Sequence, residues 1–209
     1  MFSSFTVQPW LFKLFIGSHN KPPVNPRMFL HSVLSFGYFG LGGLFVSLYS
    51  VTIMPILPVA KATKQLWFHK MISVFMKSVL YTNPFVKKRV INNSGEDFLK
   101  SAVIIANHTS FLDIVAIGML HPKIWFLVND WVYHSPVFGK AVQKADFYPV
   151  SKGIENSMES LQEKIKQGYS IMAFPEGTRS ENNKIRRFHK GAFYVAEQFK
   201  LDILPILIH

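Results

Sequence analysis

The sequence predicts an α/β domain, a largely parallel sheet flanked by helices, preceded by a membrane-embedded helical segment. Three observations predict it. After about residue 100, short apolar runs of strand length alternate with runs of helix length. Before that, Met28 to Ala60 holds 33 consecutive positions without Asp, Glu, Lys or Arg. Charge divides near the same place: ten Lys or Arg and no acidic residue precede Glu96, and all 12 acidic residues lie from Glu96 onward.

A length of 209 residues suffices for one globular domain plus a membrane attachment. Hydrophobic residues make up 49%, high for a soluble domain and too low for a polytopic membrane protein. With no cysteine, disulfides, thiolate metal sites and thiol nucleophiles are excluded. The net charge of +11 is carried almost wholly by the apolar N-terminal half. That pairing suits an anionic membrane surface, where each nearby Lys or Arg contributes about 1 kcal/mol, and it argues against nucleic acid as the partner.

Residues 1–27 form an aromatic and basic segment. Residues 28–60 are long enough to span a bilayer: at 1.5 Å per residue one helix would reach roughly 50 Å, against a hydrocarbon core of about 30 Å. One tilted helix over Ser32 to Ile53 is expected, with a re-entrant hairpin hinged at Gly42-Gly43 as the alternative. Residues 61–100 hold an amphipathic helix and a linker. Over Lys61 to Leu80, Trp67, Phe68, Met71, Ile72, Phe75 and Val79 share one face, and Gln65, His69, Lys70, Ser73 and Lys77 share the other. That helix fits either the membrane interface or the flank of the next domain. Residues 101–209 are that domain. Strands are expected at Ala102–Ala106, Ile124–Val128, Phe147–Val150, Ser170–Phe174 and Ile203–Ile208. Helices are expected at Asp113–Leu120, Val137–Lys144, Ile154–Gln167 and Gly191–Lys200. The sequence stops at His209, in or just after an apolar strand, and reads as a fragment incomplete at its C-terminus.

Two segments carry chemistry. Asn107-His108-Thr109-Ser110-Phe111-Leu112-Asp113 follows the first strand directly, at the strand end where parallel sheets place their crevice. His108 there can act as general base, with Asp113 holding its tautomer, provided the turn folds Asp113 back; a straight helix would set the two about 140° apart. The competing reading is a helix start, with Thr109 or Ser110 as N-cap and Asp113 in the first turn. The second segment, Phe174-Pro175-Glu176-Gly177-Thr178-Arg179-Ser180, again follows a strand. Arg179 offers a planar fork for phosphate, Gly177 permits close backbone approach, and Thr178 and Ser180 add hydroxyls. Glu176 would repel phosphate and is better suited to holding Arg179 or a substrate hydroxyl. Lys184, Arg186, Arg187 and Lys190 continue the basic character. His121, His134 and His189 are expected at loop and helix edges, and no residue cluster has metal-ligand spacing.

Together these segments resemble the glycerolipid acyltransferase family, whose best-known members acylate lysophosphatidate. RFHKGAFYVA from Arg187 and DILPILIH from Asp202 resemble two further blocks of that family, so the likeness runs from about Lys100 to His209. The resemblance implies that His108 deprotonates the acceptor hydroxyl and Asp113 orients it. It implies that the hydroxyl oxygen attacks an acyl thioester directly, and that Glu176, Gly177, Thr178, Arg179 and Lys190 bind the acceptor's glycerol phosphate. It implies no metal and no bound cofactor, with acyl-CoA or acyl carrier protein as co-substrate. It implies a lysophospholipid acceptor and a catalytic domain on the cytoplasmic face of the lipid bilayer. One departure stands out: where the family carries a third-block arginine, Lys152 is the nearest match, keeping the charge without the fork. VQPWLFKLF and the apolar run after it are similar to the segment joining a multi-span lipid exporter to an acyltransferase in some bacterial fusion proteins. Other readings are an acyltransferase for another amphiphile, a hydrolase using Ser110 or His108, and a non-catalytic membrane-binding module. Ser110 lacks a Gly-x-Ser-x-Gly elbow, which weighs against the hydrolase.

Overall fold

The computed structural model describes residues 26–82, 89–153, 155–179 and 185–208. The first 25 residues, including VQPWLFKLF, and Ser180 and Lys184 lie outside the described residues.

Helix α1 runs unbroken from Pro26 to Ile56 and α2 from Lys61 to Thr82. Pro55 sits in the last turn of α1, and Pro58 follows, so the helix stops where its backbone donors run out. The hairpin hinged at Gly42-Gly43 is not what forms. Those glycines are contact points: a Cβ on Gly42 would overlap the Phe75 ring of α2, and one on Gly43 would overlap Phe138. Stretch Phe29–Ile56 is long and apolar enough to cross a membrane. Leu30, Leu34, Leu41, Phe45 and Leu48 leave one flank of α1 bare, while Val46 and Met54 are buried against the rest of the chain.

The apolar face expected for α2 needs correction. Phe68, Ile72 and Val79 are buried as expected, but so are Gln65, His69 and Ser73, and Trp67 is 50% exposed. The reason lies in the helix α5, Gly139–Lys144, whose terminal carbonyls need donors. Gln65 Nε2 donates to Lys144 O and His69 Nε2 to Ala145 O, both at 2.9 Å. A carbonyl can only accept, so Nε2 carries the His69 proton. Burial pushes the His69 pKa down to about 4.

The sheet has the order β3-β2-β4-β1-β5, and every pairing is parallel. Its strands are β1 Ala102–Ala106, β2 Ile124–Val128, β3 Tyr148–Pro149, β4 Ser170–Ala173 and β5 Asp202–Ile206. Helices α3 Leu112–Gly118, α6 Met158–Lys166 and α7 Gly191–Phe199 connect them, with a one-turn helix α4 at Asp130–Tyr133 that no sequence pattern announced. Val103, Ile104, Ile171, Met172 and Trp125 form the centre of the core. Strand β3 is shorter than expected because Pro149 has no N–H to extend a ladder and Val150–Lys152 turns into 3₁₀ geometry. Helix α6 starts at Met158, after a 3₁₀ turn at Glu155–Ser157, later than the expected Ile154.

The register decides where the site forms. Ile105 of β1 pairs with Ala173 of β4 and with Pro205 of β5. His108, Glu176 and Ile208 each lie three residues beyond that shared rung, at the carboxyl ends of three adjacent strands.

Candidate functional site

The turn between β1 and α3 is folded around one carboxylate. Oδ2 of Asp113 accepts the N–H of Thr109 and of Ser110 at 2.7 Å each, and it lies 3.0 Å from Nδ1 of His108. Asp113 is 2% exposed. Residue 111, not Thr109 or Ser110, is the N-cap of α3, and it makes no side-chain cap bond. Ser110 still serves the helix start, its Oγ accepting the Leu112 N–H at 3.2 Å, while the acid of the first turn reaches back to the N–H groups before it. With a carboxylate at Nδ1, that nitrogen carries the ring proton and Nε2 keeps its lone pair. The ring stacks on Phe174, centroids 4.1 Å apart and planes 17° from parallel, which fixes its plane.

Glu176 is also buried, 3% exposed, and both of its oxygens meet main chain. Oε1 accepts the N–H of His108 at 2.9 Å, and Oε2 accepts the N–H of Arg186 at 2.8 Å. Its contacts make it a strut between the two motifs. Asn107 is a second tie: Nδ2 donates to Ile208 O and Oδ1 accepts the Ile208 N–H, both at 2.8 Å. That side-chain amide continues the β1–β5 ladder after the main chain of β1 has turned away.

Two cavities flank this turn. The first, about 360 Å³, is mostly apolar. Its walls include Phe39 of α1, Met76 of α2, Phe111, Phe138, Phe147 and Met172, and its polar edge holds His108, Gly177, Arg179 and His189. Phe39 meets Phe111 edge-on at 4.9 Å and Phe138 at 4.7 Å, so an aromatic cluster forms part of its wall. The second cavity, about 350 Å³, is lined by Glu176, Arg186, Arg187, Phe188, His189 and Lys190. Among the described residues neither Arg187 nor Lys190 forms an ion pair.

Of the residues singled out in sequence, His108, Asp113, Glu176, Gly177, Arg179 and Lys190 come together around these cavities. Gly177 has φ of +70°, which a side chain would strain. Thr178 faces Arg186, whose guanidinium donates to Oγ1 at 2.8 Å. Lys152 borders neither cavity; its Nζ sits over the Tyr133 ring, 5.7 Å from the centroid. His121 and His134 do sit at edges, bonded to Lys123 N and Asp130 O. His189 also lies in a loop, just before α7, and from there it borders both cavities. In the sequence it stands well away from any expected strand, and only its neighbours in RFHKGAFYVA mark it.

Comparison with known proteins gives the family and the fold. The model of the family described as Acyltransferase matches residues 86–209. The chain belongs to the Acyltransferase family. A 1-acyl-sn-glycerol-3-phosphate acyltransferase of Arabidopsis thaliana chloroplasts, LPAT1, is 33% identical over 150 residues, 68% of this chain and 41% of that protein. A lyso-ornithine lipid O-acyltransferase of Pseudomonas aeruginosa is 30% identical over 118 residues, 55% of this chain and 45% of its own length. The chain thus spans less than half the length of these relatives. The crystal structure of the 1-acyl-sn-glycerophosphate acyltransferase PlsC from Thermotoga maritima shares the fold, with a TM-score of 0.69 at 20% identity, over 86% of this chain and 73% of that one. The expected α/β architecture behind an apolar helix is therefore the family's own.

Proposed function

We propose that this chain moves a fatty acyl group from acyl-CoA or acyl carrier protein to the free hydroxyl of lysophosphatidate, giving phosphatidate, with His108 as general base. The observation that carries this reading is the His108–Asp113 pair set at the polar edge of an apolar cavity, next to a basic one. The apolar cavity suits an acyl chain. The cations of Arg179, Arg186, Arg187 and Lys190 suit the acceptor's phosphomonoester.

The reaction follows from that placement. Nε2 of His108 takes the proton of the acceptor hydroxyl as its oxygen attacks the thioester carbonyl. Asp113 stabilises the imidazolium that forms. The tetrahedral intermediate expels the thiolate, which takes the proton back from His108, so ester and thiol are the products. General-base assistance of this kind contributes roughly a hundred- to ten-thousandfold in rate. No metal or resident cofactor is required. The bare flank of α1 is placed in the lipid, and the basic N-terminal half holds the domain at the cytoplasmic face of the bilayer.

The test is acyl transfer by membranes carrying the chain, supplied with acyl-CoA or acyl carrier protein and with lysophosphatidate or lyso-ornithine lipid. Phosphatidate formation supports the reading. A product from lyso-ornithine lipid alone moves the acceptor, and no product from any pairing removes the reading.

A further inference from the structure

We propose that His189 is a second catalytic histidine, donating a ring N–H to the oxyanion that develops on the acyl carbonyl. The proposal rests on the acyl-transfer reading above and adds a group to it.

Among the described residues His189 is the one that borders both the apolar and the basic cavity. With an acyl chain in one and a phosphate in the other, carbonyl and hydroxyl meet at that boundary. A tetrahedral oxyanion needs hydrogen-bond donors, and backbone N–H groups at a strand-to-helix turn are a common source. Here the N–H groups of His108, Thr109 and Ser110 are all held by the carboxylates of Glu176 and Asp113. The N–H of Gly177 is held by Phe174 O. These four main-chain donors beside the base are thus taken, which favours a side-chain donor for the oxyanion.

The His189 N–H donates to Pro175 O at 2.8 Å, which fixes its main chain against the second motif. The ring packs over Gly177, with Cδ2 and Nε2 at 3.1 and 3.2 Å from where a Cβ would stand, so only glycine leaves it that seat. The ring itself has no hydrogen-bond partner among the described residues, and its N–H is available to substrate. Arg179 borders the apolar cavity as well, but it already has a partner, and its fork suits phosphate. In the step, His108 gains the hydroxyl proton and the carbonyl oxygen gains the negative charge. His189 donates a hydrogen bond without losing its proton, and the charge leaves on the thiolate as the carbonyl re-forms.

His189→Ala and His189→Gln in the full chain, assayed in membranes beside wild type and His108→Ala, test this. His189 is exposed, so neither change empties the core. His189→Ala should lower kcat on the order of a hundred- to a thousandfold with KM for lysophosphatidate unaltered. His189→Gln, which keeps an N–H, should recover part of the loss. A raised KM for lysophosphatidate at full kcat overturns the proposal and makes His189 a phosphate ligand. Unchanged kinetics in both variants overturn it too. A wild type without transfer fails the parent reading instead, and His189 falls with it.

Discussion

Replacing Glu176 by Gln separates a strut from a substrate ligand. In the wild type one carboxylate accepts two main-chain N–H groups, from His108 at 2.9 Å and Arg186 at 2.8 Å, while 3% exposed. Gln has nearly the same shape but turns one acceptor into a donor, so one N–H then faces an NH₂. One charge-assisted bond is lost, about 1.5–3 kcal/mol, and a buried donor is left unmet at a further cost of about 1–3 kcal/mol. Some relaxation is available at the exposed Arg186 side, so a net loss of about 2–4 kcal/mol of stability is expected. If the amide turns its NH₂ toward Arg186, the basic loop swings away and acceptor KM rises. If it turns toward His108, the base moves and kcat falls. The assay is unfolding of the purified protein in detergent, paired with kcat and KM on the same preparation. Unchanged stability together with a rise in acceptor KM alone would refute the reasoning, because Glu176 would then be touching substrate.

Two further outcomes follow from the packing and from burial. Gly43→Ala should push Phe138 into the apolar cavity, costing about 1–3 kcal/mol by overpacking and shifting donor preference toward shorter acyl chains, read by competition among thioesters of graded length. His69 has its folded pKa lowered to about 4 from an ordinary 6.5, so the unfolded chain takes up this proton first as pH falls. Stability tied to it is intact above about pH 6.5 and is lost progressively down to about pH 4, by about 3 kcal/mol in all. Unfolding of wild type and His69→Gln across that range should show the acid slope reduced in the variant.

Much of this molecule is legible in the sequence because its signals are local. The apolar runs at Ala102–Ala106 and Ile124–Val128 appear as strands with those bounds, since each is buried in a parallel sheet and needs little else to declare itself. The pairing of His108 with Asp113 follows from a motif seven residues long. What the sequence conceals depends on partners far away. Gln65 and His69 look like a polar face of α2 until the carbonyls of Lys144 and Ala145, nearly eighty residues on, are found to need them. Glu176 looks like a ligand until the register of β1 and β4 brings the His108 N–H to it. Gly42 and Gly43 look like a hinge until Phe75 and Phe138 arrive to fill their notches. His189 looks peripheral because neither cavity exists until α7 docks against β1 and carries residue 189 over Gly177.

The central claim is that His108 Nε2 is the base that takes the acceptor's proton. The most direct measurement is phosphatidate formation by membranes containing wild type or His108→Ala, at saturating lysophosphatidate and acyl donor and at matched protein level. The account predicts robust product from wild type and a loss of at least a hundredfold in the variant, with the variant still folded and membrane-bound. Transfer at the full wild-type rate by His108→Ala would contradict it, leaving the His108–Asp113 contact as a brace for the turn and nothing more.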